Sequence, residues 1–198
     1  MGWLDIGISI VKDFISPIAK AGDILHAVAD ILTYICKKLG ILPSDIQEEE
    51  MGDKAIQAKD VGITPEKFDT YQEYLKVIQD FKIDPEKSHK ISTEAKLAKA
   101  MELEVLFLKE AKPEMAVLSF LGIIARHMEY FSPEKVDALG KMLVSANDLI
   151  VNIDAVLNKG EKNPEKIEAA YEKLADIEKQ IDPGISDEEA LNRALKIE

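Results

Sequence analysis

An apolar stripe runs through residues 1–42 of this chain. Polar side chains recur along it every three or four positions, at Asp5, Ser9, Lys12, Ser16, Asp23, His26, Asp30, Thr33 and Lys37. That spacing is the period of an α-helix, and almost every side chain between these positions is apolar. Because the apolar arc is wider than a surface helix needs, it must be buried in the protein, against a partner or at a membrane surface.

Eight apolar side chains of the stripe are the predicted contact residues: Trp3, Val11, Phe14, Ile18, Ile24, Leu25, Ile31 and Leu32. The pair Ser16-Pro17 predicts a break, so residues 1–42 should form an apolar helical hairpin. We expect this hairpin to pack on the rest of the chain or on a second copy, as in a homo-oligomer. Membrane contact is disfavoured, because membrane-surface helices usually have a basic polar face and this segment holds equal numbers of Asp and Lys.

Charge divides the chain at the same place as the apolar pattern. The net charge is -12, yet the Asp and Lys residues of 1–42 cancel, so the acidic excess lies in residues 43–198. We predict an apolar N-terminal helical segment over 1–42, an acidic linker or connecting helix over 43–63, and an acidic helical body over 64–198. An acidic surface argues against nucleic-acid binding and is compatible with a basic protein partner.

A capping residue followed by Pro-Glu-Lys occurs four times, at Thr64, Asp84, Ser132 and Asn163. The first residue can cap a free N–H, and proline presets φ where no donor is needed, so each repeat predicts a helix start. The predicted helices span about 3–15, 17–39, 45–58, 65–81, 93–111, 113–131, 133–157, 165–181 and 187–196. No run of alternating β-branched residues predicts a strand, so the fold class is all-α, a multi-helix bundle.

The predicted centre of the fold is the trio of helices 93–111, 113–131 and 133–157, which carries most of the large apolar residues outside the stripe. Only a short turn separates the first two, which predicts an antiparallel pair. Within the first of them, Glu104 has Lys109 nearby and is interpreted as solvated surface. Cys36, the only cysteine, lies on the apolar arc and is interpreted as a small core residue.

Catalytic motifs are absent from the sequence: it has no Gly-rich phosphate loop, no Gly-x-Ser-x-Gly elbow and no His-Glu-x-x-His run. Three short combinations could contribute to a metal site, namely His26 with Asp30, Glu86 with His89, and His127 with Glu129. None supplies enough ligands locally, so we predict no catalytic, cofactor-binding or metal-binding residue.

The function that fits these patterns is non-catalytic: a cytoplasmic helical binding or regulatory protein, of the inhibitor, immunity or accessory kind, acting through protein–protein contacts. One alternative is a membrane-docked or membrane-active protein that uses the N-terminal segment. A second is a metal-dependent enzyme with a composite site built from His127, Glu129 and distant carboxylates. The lone cysteine and the early charge at Asp5 favour the cytoplasm over a secretory route.

Overall fold

A computed structural model describes residues 8–198, and this part of the chain is helical with no strand. Trp3, one of the predicted contact residues, lies outside the described residues. The helices are α1 (Ile8–Ala19), α2 (Gly22–Lys38), α3 (Glu48–Asp60), α4 (Tyr71–Asp80), α5 (Pro85–Lys90), α6 (Thr93–Ala111), α7 (Val117–Arg126), α8 (Pro133–Ser145), α9 (Asn147–Leu157), α10 (Pro164–Ile181) and α11 (Asp187–Ala194), with 3₁₀ turns at Pro65–Lys67 and Leu195–Ile197. The all-α, multi-helix prediction is confirmed.

The chain divides into two compact units, Met1–Glu114 and Met115–Glu198. The boundary falls between α6 and α7, where the sequence predicted an antiparallel pair at the centre of one fold. Helix α6 instead belongs to the core of the first unit, whereas α7, α8 and α9 belong to the second. The boundaries predicted from charge, after residues 42 and 63, lie inside the first unit.

Helix α6 is the centre of the first unit. Helices α1, α2, α3 and α4 all pack on it, and it is buried on almost every side between Leu97 and Leu108. The apolar faces of α1 and α2 are therefore covered by the helix that holds the longest buried run. Burying a large apolar side chain contributes about 1.5–3 kcal/mol, so this contact is a main source of stability for the unit.

The predicted helices need five corrections. No helix was predicted over α5, and the predicted helix 113–131 extends only over Val117–Arg126. The break expected at Ser16-Pro17 falls later, at Lys20 and Ala21. Proline lacks a backbone N–H, so Pro17 removes only one hydrogen bond near the end of α1, and the helix continues to Ala19. The predicted helix 65–81 is a 3₁₀ turn followed by α4, which begins where the Thr70 side chain caps it. The predicted helix 133–157 is interrupted at Ala146, whose φ of -151° is extended and not helical.

Three of the four Pro-Glu-Lys repeats start α-helices. The side chains of Asp84, Ser132 and Asn163 accept hydrogen bonds from backbone N–H groups in the first turns of α5, α8 and α10. The fourth repeat, after Thr64, starts only a 3₁₀ turn, and the Thr64 side chain caps no N–H of that turn. The repeat is thus confirmed as a helix-start signal at three positions.

The second unit packs α10 against α8, α9 and α11, with α7 on α8 and α9. A buried ion pair connects α8 with α10: Lys135 Nζ lies 2.7 Å from Glu178 Oε1. The same oxygen accepts a hydrogen bond of 2.6 Å from Tyr130 Oη. Glu178 is 3% exposed. A buried carboxylate with two strong partners is satisfied, so we assign it a structural role.

Helices α3 and α6 approach each other closely at Gly52. A Cβ atom added at Gly52 would lie 1.8 Å from the backbone oxygen of Lys96. No side chain can occupy that space unless the two helices separate. Glycine at this position therefore sets the distance between α3 and α6.

We expect Gly52→Ala to lower the free energy of unfolding by about 1–3 kcal/mol, because overpacking a tight contact forces backbone shifts. Urea denaturation followed by circular dichroism measures it. The matched control is Gly184→Ala, where the added Cβ would be 3.8 Å from its nearest neighbour. Equal stability of the two variants would contradict the assigned contact.

Candidate functional site

One hydroxyl group in the first unit joins three helices. Thr33 Oγ1 of α2 lies 2.6 Å from Glu48 Oε2, at the start of α3, and 3.0 Å from Glu104 Oε1 of α6. Thr33 belongs to the polar edge of the N-terminal stripe, which the helical period of α2 turns toward α3 and α6. The three side chains form what we call the carboxyl bridge, Thr33, Glu48 and Glu104.

Glu104 is the innermost member of the carboxyl bridge. It is 0% exposed, and its Oε2 atom has no hydrogen-bond partner among the described residues. Burial raises the pKa of this carboxyl well above its ordinary value, and the nearby charge of Glu48 adds to the effect. The interpretation of Glu104 as solvated surface beside Lys109 is wrong, because α6 is buried around this position.

Glu48 connects the carboxyl bridge to the surface. Burial raises the pKa of Glu48 to about 7, and a hydrogen bond with the side chain of Asp30 acts in the same direction. The hydrogen bond from Thr33 and the positive charge of Lys37 oppose these two effects. Glu48 thus titrates in the neutral range, unlike an ordinary surface carboxyl.

A groove of about 330 Å³ opens over the outer end of the carboxyl bridge, between α2 and the start of α3. We call it the α2–α3 groove, and it is lined by Asp30, Thr33, Tyr34, Lys37, Ile46, Gln47 and Glu48. Tyr34 is 47% exposed, and Lys38 Nζ lies 5.7 Å from the centre of its ring. Two carboxyl groups beside an exposed aromatic face are suited to a cation, since both attract positive charge.

Two other residues of α2 adjoin the same site. Lys37 follows Thr33 by one helical turn and is the positive charge that acts on both Glu48 and Glu104. Cys36 is fully buried, its Sγ lies 3.9 Å from the backbone oxygen of Glu104, and burial raises its thiol pKa. A thiol with a raised pKa is unreactive, so the interpretation of Cys36 as a core residue is confirmed.

The described part of the N-terminal stripe contributes most of its predicted contact residues to the core of the first unit. Six of them are at most 8% exposed: Val11, Ile18, Ile24, Leu25, Ile31 and Leu32. Phe14 is half-buried. In this conformation the described part of the stripe packs on α6, and the exposed face of α2 is the polar one that carries Asp30 and Tyr34.

A second polar cluster lies near the other end of α3. Asp53, 3% exposed, accepts hydrogen bonds from Ser88 Oγ at 2.5 Å and Gln57 Nε2 at 2.9 Å, and Lys96 Nζ lies 3.4 Å from it. Lys96 also donates to Ser88 Oγ at 3.1 Å. A serine next to a lysine can serve nucleophilic catalysis, but here the Ser88 hydroxyl donates its hydrogen bond to Asp53, which also pairs with Lys96.

The histidines that the sequence singled out are dispersed. His127 ends α7, and its Nδ1 lies 2.9 Å from the backbone oxygen of Ile197, while Glu129 and His26 are exposed. Arg126 pairs with Asp154 at 3.1 Å. Across residues 8–198, no three His, Cys, Asp or Glu side chains are arranged to hold a metal ion.

Comparisons with known proteins give no relative. The chain matches no protein-family model, no curated protein and no solved structure. Within the part that the structure describes, no helix has both the length and the apolarity needed to cross a bilayer.

Sequence reasoning missed the carboxyl bridge, although one signal was present. Glu104 is the one charged residue within the run 103–108, whose other members are all apolar, although Glu102 lies just before it. Such a residue in a fully buried helix must find a partner or lose its charge. The partners themselves, Thr33 and Glu48, lie 71 and 56 positions earlier in the chain, and no local pattern connects them.

The raised pKa values of Glu48 and Glu104 predict that the protein loses stability as pH rises. Both carboxyls bind their protons more tightly in the folded than in the unfolded chain, so the free energy of unfolding falls above about pH 4.5. For Glu48 the fall ends near pH 7, at the value of its folded-state pKa. Since Glu48 is partly exposed, we expect its share to be about 1–2 kcal/mol, less than the shift alone implies.

Urea denaturation at several pH values between about 5 and 8 measures this dependence. We expect Glu48→Gln and Glu104→Gln each to reduce the slope and the double variant to remove most of it. Glutamine mimics the neutral carboxyl, so each variant should also be more stable than the wild type near pH 8. A wild-type profile that is flat over this range would contradict the assignment.

Proposed function

We propose that this chain is a non-catalytic helical binding or regulatory protein, of the inhibitor, immunity or accessory kind, that acts through contacts with a basic protein partner. The observation that carries the proposal is the α2–α3 groove, where Asp30 and Glu48 lie beside the exposed ring of Tyr34. A groove of about 330 Å³ has room for one lysine or arginine side chain. Carboxylates supply the charged contacts for that side chain, which would compete with Lys38 of this chain for the cation–π contact on the Tyr34 ring.

The overall charge supports a basic partner. A net charge of -12 produces a negative field around the protein, which accelerates encounter with a positively charged surface. The field alone gives no specificity, because most of the acidic residues lie on solvated helix faces. Specificity therefore has to come from a shaped site such as the α2–α3 groove.

Other concave surfaces of the described chain offer less to a partner. A cavity of about 210 Å³ beside α3 holds Glu50 and Lys54, which pair at 2.9 Å, and Lys54 also donates to the backbone oxygen of Gln79. A shallower one in the second unit holds Asp137 and Lys141, which pair at 2.8 Å. In both, the lysine of the lining already pairs with a carboxylate, and neither lining contains an aromatic ring. We therefore place the partner at the α2–α3 groove.

We also propose a cytoplasmic location. The one cysteine, Cys36, is buried and unpaired, so the fold gains nothing from an oxidising compartment. This proposal is independent of the partner's identity.

Selection of peptides from a random library against the intact protein tests the proposed function. We expect the selected peptides to share a lysine or arginine, and Asp30→Asn with Glu48→Gln to weaken their binding about tenfold, as the loss of a charged hydrogen bond predicts. Fluorescence anisotropy measures the affinities.

Asp137→Asn is the matched control, because Asp137 is an exposed carboxylate in the second unit whose pair with Lys141 is also exposed. Its binding should equal that of the wild type. Selection of peptides without basic residues, or equal loss in the control, would contradict the proposal. Sedimentation with lipid vesicles in the absence of any selected peptide would favour the membrane-docked alternative.

A further inference from the structure

The carboxyl bridge has fewer hydroxyl protons than hydrogen bonds. Thr33 Oγ1 lies within hydrogen-bond distance of Glu48 and of Glu104, but a threonine hydroxyl has one proton and can donate to only one of them. Two ionised carboxylates only accept hydrogen bonds. One of the two glutamates must therefore carry a proton and donate it to Thr33.

Burial and distance both place that proton on Glu104. Its side chain is 0% exposed and Oε2 has no partner, so an ionised Glu104 would be an uncompensated charge in the core. The shorter contact, 2.6 Å from Thr33 to Glu48, is in the range of a hydroxyl that donates to an ionised or strongly polarised acceptor, whereas 3.0 Å to Glu104 is ordinary. Glu104 thus donates to Thr33, and Thr33 donates to Glu48.

The outer end of the carboxyl bridge needs a second proton. Asp30 and Glu48 both line the α2–α3 groove, and a hydrogen bond between their side chains contributes to the raised pKa of Glu48. Two carboxyl groups can share a hydrogen bond only when one of them is protonated. Glu48 Oε2 accepts from Thr33 whichever of the two carries this proton. The three carboxyls then hold two protons and a total charge of -1, which faces Lys37 on α2.

The surroundings distinguish the two protons. The inner one lies among buried apolar residues of α2 and α6, beside Cys36, whose Sγ is 3.9 Å from the backbone oxygen of Glu104. The outer one is shared by Asp30, which is exposed, and Glu48, at the wall of the α2–α3 groove. The titratable groups that act on this outer pair are Lys37 from α2 and Glu104 from α6.

We propose that the outer proton is a switch for partner binding: when it leaves, Asp30 and Glu48 become a pair of adjacent carboxylates that takes the lysine or arginine side chain of the partner. While the outer proton is bound, Asp30 and Glu48 hydrogen-bond to each other and present the partner with one negative charge at most. The inner proton stays on Glu104 in both states and keeps α2, α3 and α6 joined. This regulation rests on the proposed function of the α2–α3 groove.

Carboxyl-carbon NMR of the full chain tests the proton count without any partner. We expect one glutamate, assigned to Glu104 by its loss in Glu104→Gln, to remain protonated through neutral pH, and Glu48 to titrate near neutrality. Asp30→Asn should move the titration of Glu48 toward ordinary acidic values, because the shared proton is gone. Ordinary acidic titration of both Glu48 and Glu104 in the wild type would overturn the proposal.

Thr33→Val and Thr33→Ser form the matched pair. Serine keeps the hydroxyl and should keep both titrations, whereas valine has a similar shape but cannot join the two glutamates. We expect the Glu48 titration to change in the valine variant alone. The same change in both variants would mean that packing, and not the hydroxyl, connects the carboxyls.

N-acetyl-arginine amide is the probe for the switch, with binding followed by amide shifts of Thr33, Tyr34 and Glu48. We expect its affinity to rise about tenfold from about pH 6 to about pH 8 in the wild type, as the ionised fraction of the outer pair rises. In Asp30→Asn the affinity should be weaker and nearly independent of pH. Binding that is independent of pH in the wild type would overturn the switch but not the proposed function of the α2–α3 groove. No binding at any pH would overturn both.

Discussion

The hydroxyl of Thr33 is the contact on which the first unit's organisation depends. It joins α2, the start of α3 and the buried middle of α6 through two carboxyl groups. A carboxylate enclosed in apolar surroundings costs several kcal/mol unless it is paired or neutral. Because no cation reaches Glu104 by hydrogen bond or ion pair in the described residues, a proton is what makes its position compatible with the core.

This constraint connects folding with recognition. The hydrogen bonds that hold the protonated Glu104 inside the unit continue through Thr33 to Glu48, which lies beside Asp30 in the α2–α3 groove. The close approach of α3 to α6 at Gly52 fixes the direction of α3, and hence the place where its first residue, Glu48, meets α2. A site built on helices in such close contact is rigid, which favours recognition of one basic side chain over diffuse attraction to any positive surface.

The sequence predicted the class of fold and most helix starts, because these follow from local rules of period, capping and proline geometry. Asp84, Ser132 and Asn163 cap helices where they were expected to. The sequence could not predict that α6 and α7 belong to different units, since both are apolar and adjacent in the chain. It also could not assign Glu104, whose burial depends on helices that are distant in sequence, although an acid within the apolar run 103–108 was a visible anomaly.

Neutron diffraction from a crystal grown at neutral pH would show whether Glu104 carries a proton, because it locates the exchangeable hydrogens of Thr33, Glu48 and Glu104. We expect a deuterium on Glu104 directed at Thr33 Oγ1 and the hydroxyl deuterium of Thr33 directed at Glu48 Oε2. A Glu104 carboxylate without deuterium, or a Thr33 hydroxyl directed at Glu104, would contradict it.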